Sequence, residues 1–184
     1  MRISAPACDA ALYRRNIMKR LSISTLTVII ALLCLEVGLP KAAVAQTAKD
    51  LVGTWTLVSG DTVHPDGSRV PTFGAHPKGI LIFTADGRIF NLYSRADLPK
   101  FASNNRAKGT SEENAAVVQG SIATFGTYTV ADKTLMIKVE HSTFPNWIGA
   151  DQKRTITITG DELKWTNPAG SAGGVAELVL KRVI

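Results

Sequence analysis

Two segments in the second half of the chain carry polar residues of the kind that hold an anionic or carbonyl group. His141 supplies a titratable imidazole, Gln152 an amide and Arg154 a permanent cation. Alternate residues of an extended strand share one face. On this rule the two apolar faces consist of Leu135, Ile137, Val139 and His141 in one strand, and Gln152, Arg154, Ile156 and Ile158 in the next. Pairing of these faces predicts that His141 lies beside Gln152 and Arg154 at the rim of a pocket.

Aromatic residues near this polar group would form the walls of the pocket. Trp147 lies between the two strands, Trp165 shares an apolar face with Leu163, and Tyr93 and Tyr128 are strand residues able to line a cavity. A cation that donates charge-assisted hydrogen bonds inside an apolar wall suits a small apolar molecule with an anionic or carbonyl end. The sequence therefore predicts small-molecule binding by these residues.

The same polar residues also fit a plain surface role. Arg154 could pair with Glu140 or Asp151, and His141 would then be solvated. A shift of one residue in strand pairing would exchange the two faces of the strand and turn Glu140 inward. Glu140 is therefore kept as a candidate binding residue beside the others.

Other reactive groups lack the pattern that their chemistry needs. The histidines His64, His76 and His141 have no paired spacing of the kind found in zinc sites. No serine lies in a G-x-S-x-G nucleophile elbow, and the sequence has no phosphate-binding loop. We therefore assign no catalytic residue, no metal and no cofactor from the sequence.

Many short apolar stretches separated by turn residues predict an all-β domain. Glycine-containing turns at residues 85–87 and 160–161 join neighbouring stretches into hairpins. The eight predicted strands cover residues 54–63, 79–84, 88–94, 124–130, 134–142, 152–159, 162–166 and 176–182. This spacing is typical of an antiparallel barrel or sandwich, and a barrel of about eight strands can hold side chains or one small ligand.

Residues 95–123 are too long for a hairpin loop, and they contain a helix signal. Thr110 and Glu113 have the spacing of a capping box, in which a hydroxyl and a carboxylate each accept an N–H of the first turn. Ala115, Val118 and Ile122 follow at helical spacing. We expect a helix over about residues 111–123, between the third and fourth strands, either across one mouth of the barrel or on its outer wall.

Short motifs along residues 51–182 resemble the lipocalin-like domain proteins of bacteria and fungi, which are calycin-type small β-barrels. Gly53, Trp55 and Arg182 match the lipocalin pattern of a G-x-W motif and a late arginine that packs over the tryptophan. Further matching motifs lie at residues 77–81, 84–87, 109–113, 126–128, 139–142, 145–147 and 152–154. The resemblance implies an eight-stranded antiparallel barrel with structural roles for Gly53, Trp55 and Arg182, and it implies no settled activity.

The first 45 residues have the pattern of an export signal. Four basic residues within 14–20 precede an apolar run over residues 21–35, and Ala43-Val44-Ala45 is a typical signal-peptidase site. The run falls short of the roughly 20 apolar residues of a retained membrane helix. Met18 offers an alternative start, and Arg14-Arg15 resembles a twin-arginine signal.

We therefore expect residues 1–45 to be removed and residues 46–184 to form one periplasmic or secreted domain without a membrane span. Both cysteines, Cys8 and Cys34, would be lost with the signal. The whole chain has a net charge of +6, but six of its basic and two of its acidic residues precede Gln46, which leaves +2. No basic cluster remains in the domain, and binding to nucleic acid is not expected.

Three functions fit these observations. The first is an exported barrel that binds a small, mostly apolar or amphipathic molecule with a polar or anionic end. The second is an isomerase, cyclase or hydratase that uses the same cavity, with His141, Glu140 or Arg154 as acid, base or anion holder. The third is a structural or stress-related barrel filled by its own side chains, which would leave no enclosed cavity above roughly 300 Å³. An edge strand could also join subunits, and the sequence leaves the oligomeric state open.

Overall fold

A computed structural model describes residues 46–184, and the export signal predicted over residues 1–45 lies outside the described residues. The strands are β1 (Gly53–Val63), β2 (Arg69–Pro71), β3 (Lys78–Phe83), β4 (Arg88–Ser94), β5 (Ser121–Ala131), β6 (Thr134–Ser142), β7 (Asp151–Thr159), β8 (Glu162–Asn167) and β9 (Val175–Arg182). The helices are α1 (Ala48–Leu51) and α2 (Ser111–Gly120), and short 3-10 turns cover Arg106–Lys108 and Pro145–Trp147. Over residues 46–184, no helix has the length and apolar composition needed to cross a bilayer.

Eight of these strands close into an antiparallel barrel. β1 and β3 to β9 each pair with the next barrel strand along the chain, and β9 returns to pair with β1. The three-residue β2 lies outside this ring and pairs with β1 at Asp61, Thr62 and Val63. All eight predicted strands are present, so the predicted eight-stranded antiparallel barrel is confirmed. β2 was not predicted because three residues that include Pro71 carry no alternation signal.

Apolar side chains fill the half of the barrel that contains the start of β1 and the end of β9. Alternation in β6 buries Leu135, Ile137 and Val139 and leaves Met136 and Lys138 exposed. The side chains with at most 1% exposure in this core include Trp55, Leu81, Phe83, Leu135, Ile156, Leu163 and Leu180. Burial of apolar surface is the main stabilising contribution to such a fold. This apolar core therefore supports the strands that continue into the opposite half of the barrel.

The floor of the barrel is closed by Arg182. Its guanidinium carbon lies 4.1 Å from the centroid of the Trp55 ring, and its N–H groups donate to two backbone carbonyls before β1 at 2.9 and 2.5 Å. Gly53 has a φ of +128°, which other residues rarely adopt, and a side chain there would lie 3.2 Å from Arg182. The contacts of Gly53, Trp55 and Arg182 are those that the resemblance implies.

A β-bulge in β1 decides which of its later residues face the interior. The register with β9 shifts at Val58, which is 52% exposed. After this extra residue, Gly60 and Thr62 are buried, whereas Asp61 is only partly buried. A bulge inserts one unpaired residue and so changes the parity of the strand beyond it. Because of this bulge, the hydroxyl of Thr62 rather than the carboxylate of Asp61 points into the barrel.

Helix α2 begins as predicted and ends three residues early. The Glu113 N–H donates to the Thr110 hydroxyl at 3.2 Å and the Thr110 N–H donates to the Glu113 carboxylate at 2.9 Å, so the capping box is confirmed. Ile122, predicted on the apolar face of the helix, lies in β5 with 9% exposure, and Val118 is 76% exposed. The predicted helical position of Ile122 is therefore wrong, because the barrel wall takes up Ile122 as a strand residue.

Candidate functional site

The half of the barrel where β9 begins contains a chamber of about 50 Å³ that both polar and apolar side chains line. Its polar lining consists of Thr62, Thr72, Asn91, Thr124, Gln152, Arg154, Asn167 and Ser171, and its other lining residues are Phe73, Tyr93, Ile122, Ile137, Trp147, Trp165, Ala172, Ala176 and Leu178. A recess of about 290 Å³ lies beside it, bounded also by Val118 and Gln119 at the end of α2 and by Phe144. The chamber and the recess share Thr72, Phe73, Ile122, Ser171 and Ala172.

Arg154 on β7 supplies the charge of the chamber. The residue is 3% exposed, and its guanidinium carbon lies 5.6 Å from the ring centroids of both Trp147 and Trp165. Its N–H groups donate to the Lys153 carbonyl at 3.2 Å and to the side-chain oxygen of Gln152. The salt bridges within residues 46–184 all join other residues, so Arg154 has no carboxylate partner there.

Burial makes this charge costly. It lowers the pKa of Arg154 to about 10, an effect that the neighbouring Tyr93 partly opposes, so the guanidinium is still a cation near neutral pH. Burial also raises the pKa of Tyr93 above its ordinary value, and its hydroxyl therefore stays protonated. The Tyr93 hydroxyl and the Arg154 Nε–H are buried without a hydrogen-bond partner among the described residues.

Tyr93 reaches the chamber wall because its partner on the next strand is a glycine. Gly79 of β3 pairs with Tyr93 of β4, and a side chain at position 79 would lie 2.7 Å from the Tyr93 ring. The Tyr93 ring also packs against Phe73, with 5.9 Å between the ring centroids. The glycine of the Pro77–Leu81 motif thus supports the wall of the chamber.

Phe73 lies at the boundary that the chamber and the recess share. It lines both spaces and is 8% exposed. The preceding Thr72 is fixed by its N–H, which donates to the Gly60 carbonyl at 2.9 Å, and by a hydroxyl contact with Thr62 at 2.8 Å. Gly60 also leaves room for the Phe73 ring, which would lie 3.4 Å from a side chain there.

Five of the eight predicted binding residues line the chamber, namely Tyr93, Trp147, Gln152, Arg154 and Trp165. Their part in binding a ligand stays a prediction. The other three, Tyr128, Glu140 and His141, lie elsewhere.

A β-bulge in β6 turns His141 away from the chamber. Gly126 of β5 pairs with Val139, whereas the preceding Phe125 pairs with His141, so Glu140 is an extra residue. His141 is consequently exposed and packs on the Phe125 ring at 5.9 Å between centroids. Position 126 must be glycine in this arrangement, because a side chain there would collide with the β6 backbone.

The predicted contact of His141 with Gln152 and Arg154 is therefore wrong. Arg154 pairs with Leu135 and Gln152 with Ile137, nearer the start of β6. Simple alternation along β6 gave the wrong face because alternation in one strand does not reveal a residue inserted at a bulge.

Glu140 and Tyr128 also make contacts outside the chamber, so the predictions that placed them in the pocket are wrong. The Glu140 carboxylate accepts two hydrogen bonds from Arg88 on the outer surface, at 2.7 and 2.9 Å. Tyr128 lies in the apolar core, where its ring meets the Phe83 ring edge-on at 4.9 Å. Its hydroxyl donates to the Thr84 carbonyl at 3.0 Å. The alternative surface pairing of Arg154 with Glu140 does not occur.

Sequence reasoning missed several residues of the chamber. Asn91 is 7% exposed and lies between Ile89 and Tyr93 on the inner face of β4, opposite Thr124 of β5. A polar residue between two inward apolar residues is a signal that strand alternation could have found. Thr62 gave no such signal, because its direction depends on the bulge in β1.

The chemistry available in the chamber is limited to hydrogen bonding and charge. Its lining includes no Asp, Glu or His among the described residues, and the ionisable side chains in it are those of Arg154 and Tyr93. No three metal-ligating side chains converge anywhere in residues 46–184. This arrangement can hold an anion or a carbonyl oxygen, and the lining offers no carboxylate or imidazole as a general base.

Comparisons with known proteins show what this chain is similar to. A family model described as a lipocalin-like domain matches residues 52–183. A segment of 89 residues is 33% identical to the 4'-hydroxy-3'-methoxypropiophenone carrier protein ppsC of Aspergillus oryzae, and covers 43% of this chain and 80% of that protein. A solved lipocalin-like protein from Bacteroides uniformis is 14% identical with a TM-score of 0.40, over 73% of this chain and 99% of its own. Because the family match spans most of the sequence, the chain belongs to the lipocalin-like domain family.

Proposed function

We propose that this protein is a carrier that reversibly binds a small, mostly apolar molecule, with the polar end of that molecule at Arg154. The observation that carries the proposal is the buried guanidinium of Arg154, which lies between Trp147 and Trp165 without a carboxylate partner among the described residues. Burying a charge without a partner is unfavourable. A ligand that supplies an acceptor would offset this cost, and the two indoles would hold its apolar part.

The similar Aspergillus oryzae protein is named as a carrier of 4'-hydroxy-3'-methoxypropiophenone, an aromatic ketone that also has a phenolic hydroxyl. By analogy, we propose a single-ring aromatic ligand for this chain. Trp147 and Trp165 provide flat apolar surfaces on which such a ring can pack. The Tyr93 hydroxyl and the Arg154 Nε–H can both donate to an oxygen of the ligand.

Binding of such a molecule requires the chamber and the recess to act as one site. Small-molecule sites have volumes of roughly 300–1,000 Å³, whereas the chamber has about 50 Å³ and the recess about 290 Å³. We propose that the Phe73 ring moves aside when the ligand enters. The polar end of the ligand then lies at Arg154 and its ring beside Trp147 and Trp165 in the chamber, and the part farthest from Arg154 extends into the recess beside Phe144.

The small volume of the chamber favours one other candidate, a barrel that carries no ligand. In this case Arg154 would only hold Trp147 and Trp165 in place. An enzyme that uses the acid and base groups suggested by the sequence fits less well, because His141 and Glu140 lie on the outer surface.

Tryptophan fluorescence distinguishes the carrier from the ligand-free barrel. Trp147 and Trp165 line the chamber, whereas Trp55 is buried in the floor. Titration with 4'-hydroxy-3'-methoxypropiophenone should change the emission in a saturable way. The change should be lost in the Trp147→Phe, Trp165→Phe double variant, in which Trp55 still emits.

Two further variants serve as controls in this titration. Phe73→Ala should bind at least as tightly as the wild type, because the variant lacks the ring that is proposed to move aside when the ligand enters. His141→Ala, on the outer surface, should bind with unchanged affinity. Absence of any saturable change in the wild type and in Phe73→Ala would favour the ligand-free barrel.

We also propose that the protein acts outside the cytoplasm, as a periplasmic or secreted carrier. The support is the sequence pattern of basic residues, apolar run and Ala43-Val44-Ala45 before Gln46. The intact mass of protein isolated from its own host should correspond to a chain that starts at Gln46. A mass that includes Met1 or Met18 would contradict this proposal.

A further inference from the structure

Two hydrogen-bond donors in the chamber lack an acceptor. Among residues 46–184, the buried side-chain nitrogen and oxygen atoms without a partner are the Tyr93 hydroxyl and the Arg154 Nε. Both residues are 3% exposed and line the same chamber. Buried donors in native proteins are almost always paired. Two unpaired donors beside one small space can therefore donate to a common acceptor that enters it.

The charge of the chamber decides what kind of acceptor fits. The groups that accept from Arg154 are the Lys153 carbonyl and the Gln152 side chain, both neutral. The lining contains no carboxylate. A neutral carbonyl ligand would satisfy the hydrogen bonds but leave the buried charge unpaired. An oxyanion would satisfy both, through the shorter and stronger charge-assisted hydrogen bonds.

The surroundings of Arg154 decide the shape of the anion. Trp147 and Trp165 flank the guanidinium, each with its ring centroid 5.6 Å from the guanidinium carbon. A planar guanidinium presents its N–H groups in its own plane, where they match a flat, delocalised oxyanion. Ile122 and Leu178 add an apolar wall that suits an aromatic ring next to that oxyanion.

We propose that the chamber selects the anion of an aromatic acid, an arylcarboxylate or a phenolate, over the neutral molecule of the same shape. This inference rests on the proposed carrier function and adds the charge state of the cargo. An acid that is neutral in solution releases its proton to the solvent when it binds, and no covalent bond of the ligand otherwise changes. Tyr93 and Arg154 keep their protons throughout.

The pH dependence of binding then follows the ionisation of the ligand. The elements packed around Arg154 present Leu135 from β6, Trp147 from the 3-10 turn and Trp165 from β8, none of which titrates. Tyr93 from β4 is the one titratable group beside Arg154 in the chamber lining. The affinity should therefore rise as the pH increases toward the pKa of the free acid and level off above it.

Matched pairs of probes test this selectivity. 4-Nitrophenol ionises to a coloured anion, and 4-nitroanisole has nearly the same shape but cannot ionise. Benzoate and benzamide form a second pair that distinguishes the carboxylate from the phenolate. At a pH about one unit below the pKa of free 4-nitrophenol, addition of wild-type protein should produce the phenolate absorption. The anion of at least one pair should bind about tenfold or more tightly than its neutral partner, which corresponds to at least one unit of pKa shift.

Variants at Arg154 separate this inference from the proposed function. Arg154→Met should lose the preference for the anion and still bind the neutral probes. Arg154→Lys should keep part of the preference for the anion. Tyr93→Phe should weaken binding of the anion without abolishing it. If neutral and anionic probes bind the wild type equally well, the inference is overturned and the carrier function stands. If no probe of either charge binds the wild type or Phe73→Ala, both are overturned.

Discussion

Replacing Arg154 with methionine should make the ligand-free protein more stable while it weakens the binding of anions. Arg154 is buried beside two indoles with no carboxylate partner among the described residues. Methionine is unbranched, apolar and adaptable, and it fills the space of the aliphatic stem of Arg154. The substitution therefore removes a buried charge without leaving a large cavity.

The size of the effect follows from the pKa of Arg154. Burial lowers this pKa from 12.5 to about 10, which at about 1.4 kcal/mol per unit corresponds to roughly 3 kcal/mol of penalty on the charged form. In the wild type, contacts with the indoles and with neutral acceptors offset roughly 1–2 kcal/mol of this penalty. The variant loses these contacts. The net expectation is a gain of about 1–2 kcal/mol in the free energy of unfolding, or roughly 3–6 °C in Tm.

The sign of this effect holds throughout the neutral range. Because the pKa of Arg154 is lower in the folded protein, the penalty is fully present below about pH 10 and declines as the pH rises through this value. Urea denaturation at pH 7 of the wild type and Arg154→Met measures it directly. Arg88→Met, which removes an exposed salt bridge with Glu140, is a control that should change stability by less than about 1 kcal/mol.

A loss of stability in Arg154→Met would contradict this prediction. Removal of one partner of a buried ion pair typically costs roughly 3–5 kcal/mol. A loss of this size in Arg154→Met would mean that the guanidinium is a structural group with its needs met within the protein. Arg154 would then need no ligand to offset the cost of its burial.

Three further predictions concern the features that position the site. Gly126→Ala should lose roughly 3 kcal/mol or more of stability in urea denaturation, because its side chain would collide with the β6 backbone at the bulge; near-wild-type stability would contradict the bulge. Arg182→Met should cost about 2 kcal/mol, measured as a lower Tm, because it loses the stacking on Trp55 and two carbonyl contacts. Wild-type stability in Arg182→Lys would count against a role for the planar guanidinium. His141→Ala should leave the dissociation constant of every ligand unchanged, since the imidazole lies on the outer surface against Phe125. A change of more than about twofold in the dissociation constant would indicate that His141 belongs to the binding site.

The barrel could be predicted because its signals are local. Hydrophobic alternation and glycine turns locate all eight barrel strands, and the Thr110–Glu113 capping box locates the start of α2. The end of α2 was missed because Ile122 fits a helical spacing as well as the inner face of a strand. Only the packing of the barrel wall decides between the two.

The site could be predicted in part. Gln152 and Arg154 were placed on the correct face because β7 pairs with both of its neighbours without a register shift. His141 was misplaced because the parity of β6 changes at a bulge near its end. The glycine at position 126 is a trace of this bulge, but glycine in a strand also has other causes. Parity beyond a bulge is set by the pairing of two strands, which one strand alone does not encode.

The most direct test of the carrier function follows the Nε–H of Arg154 by nitrogen–proton NMR. This N–H is buried and has no acceptor among the described residues, and its resonance is assigned by its absence from Arg154→Lys. During titration with the tightest of the probes above, we expect this resonance to shift in a saturable way, with the same dissociation constant as the fluorescence change. A probe that binds with full occupancy and leaves the Arg154 resonance unmoved would show that the ligand does not bind at Arg154.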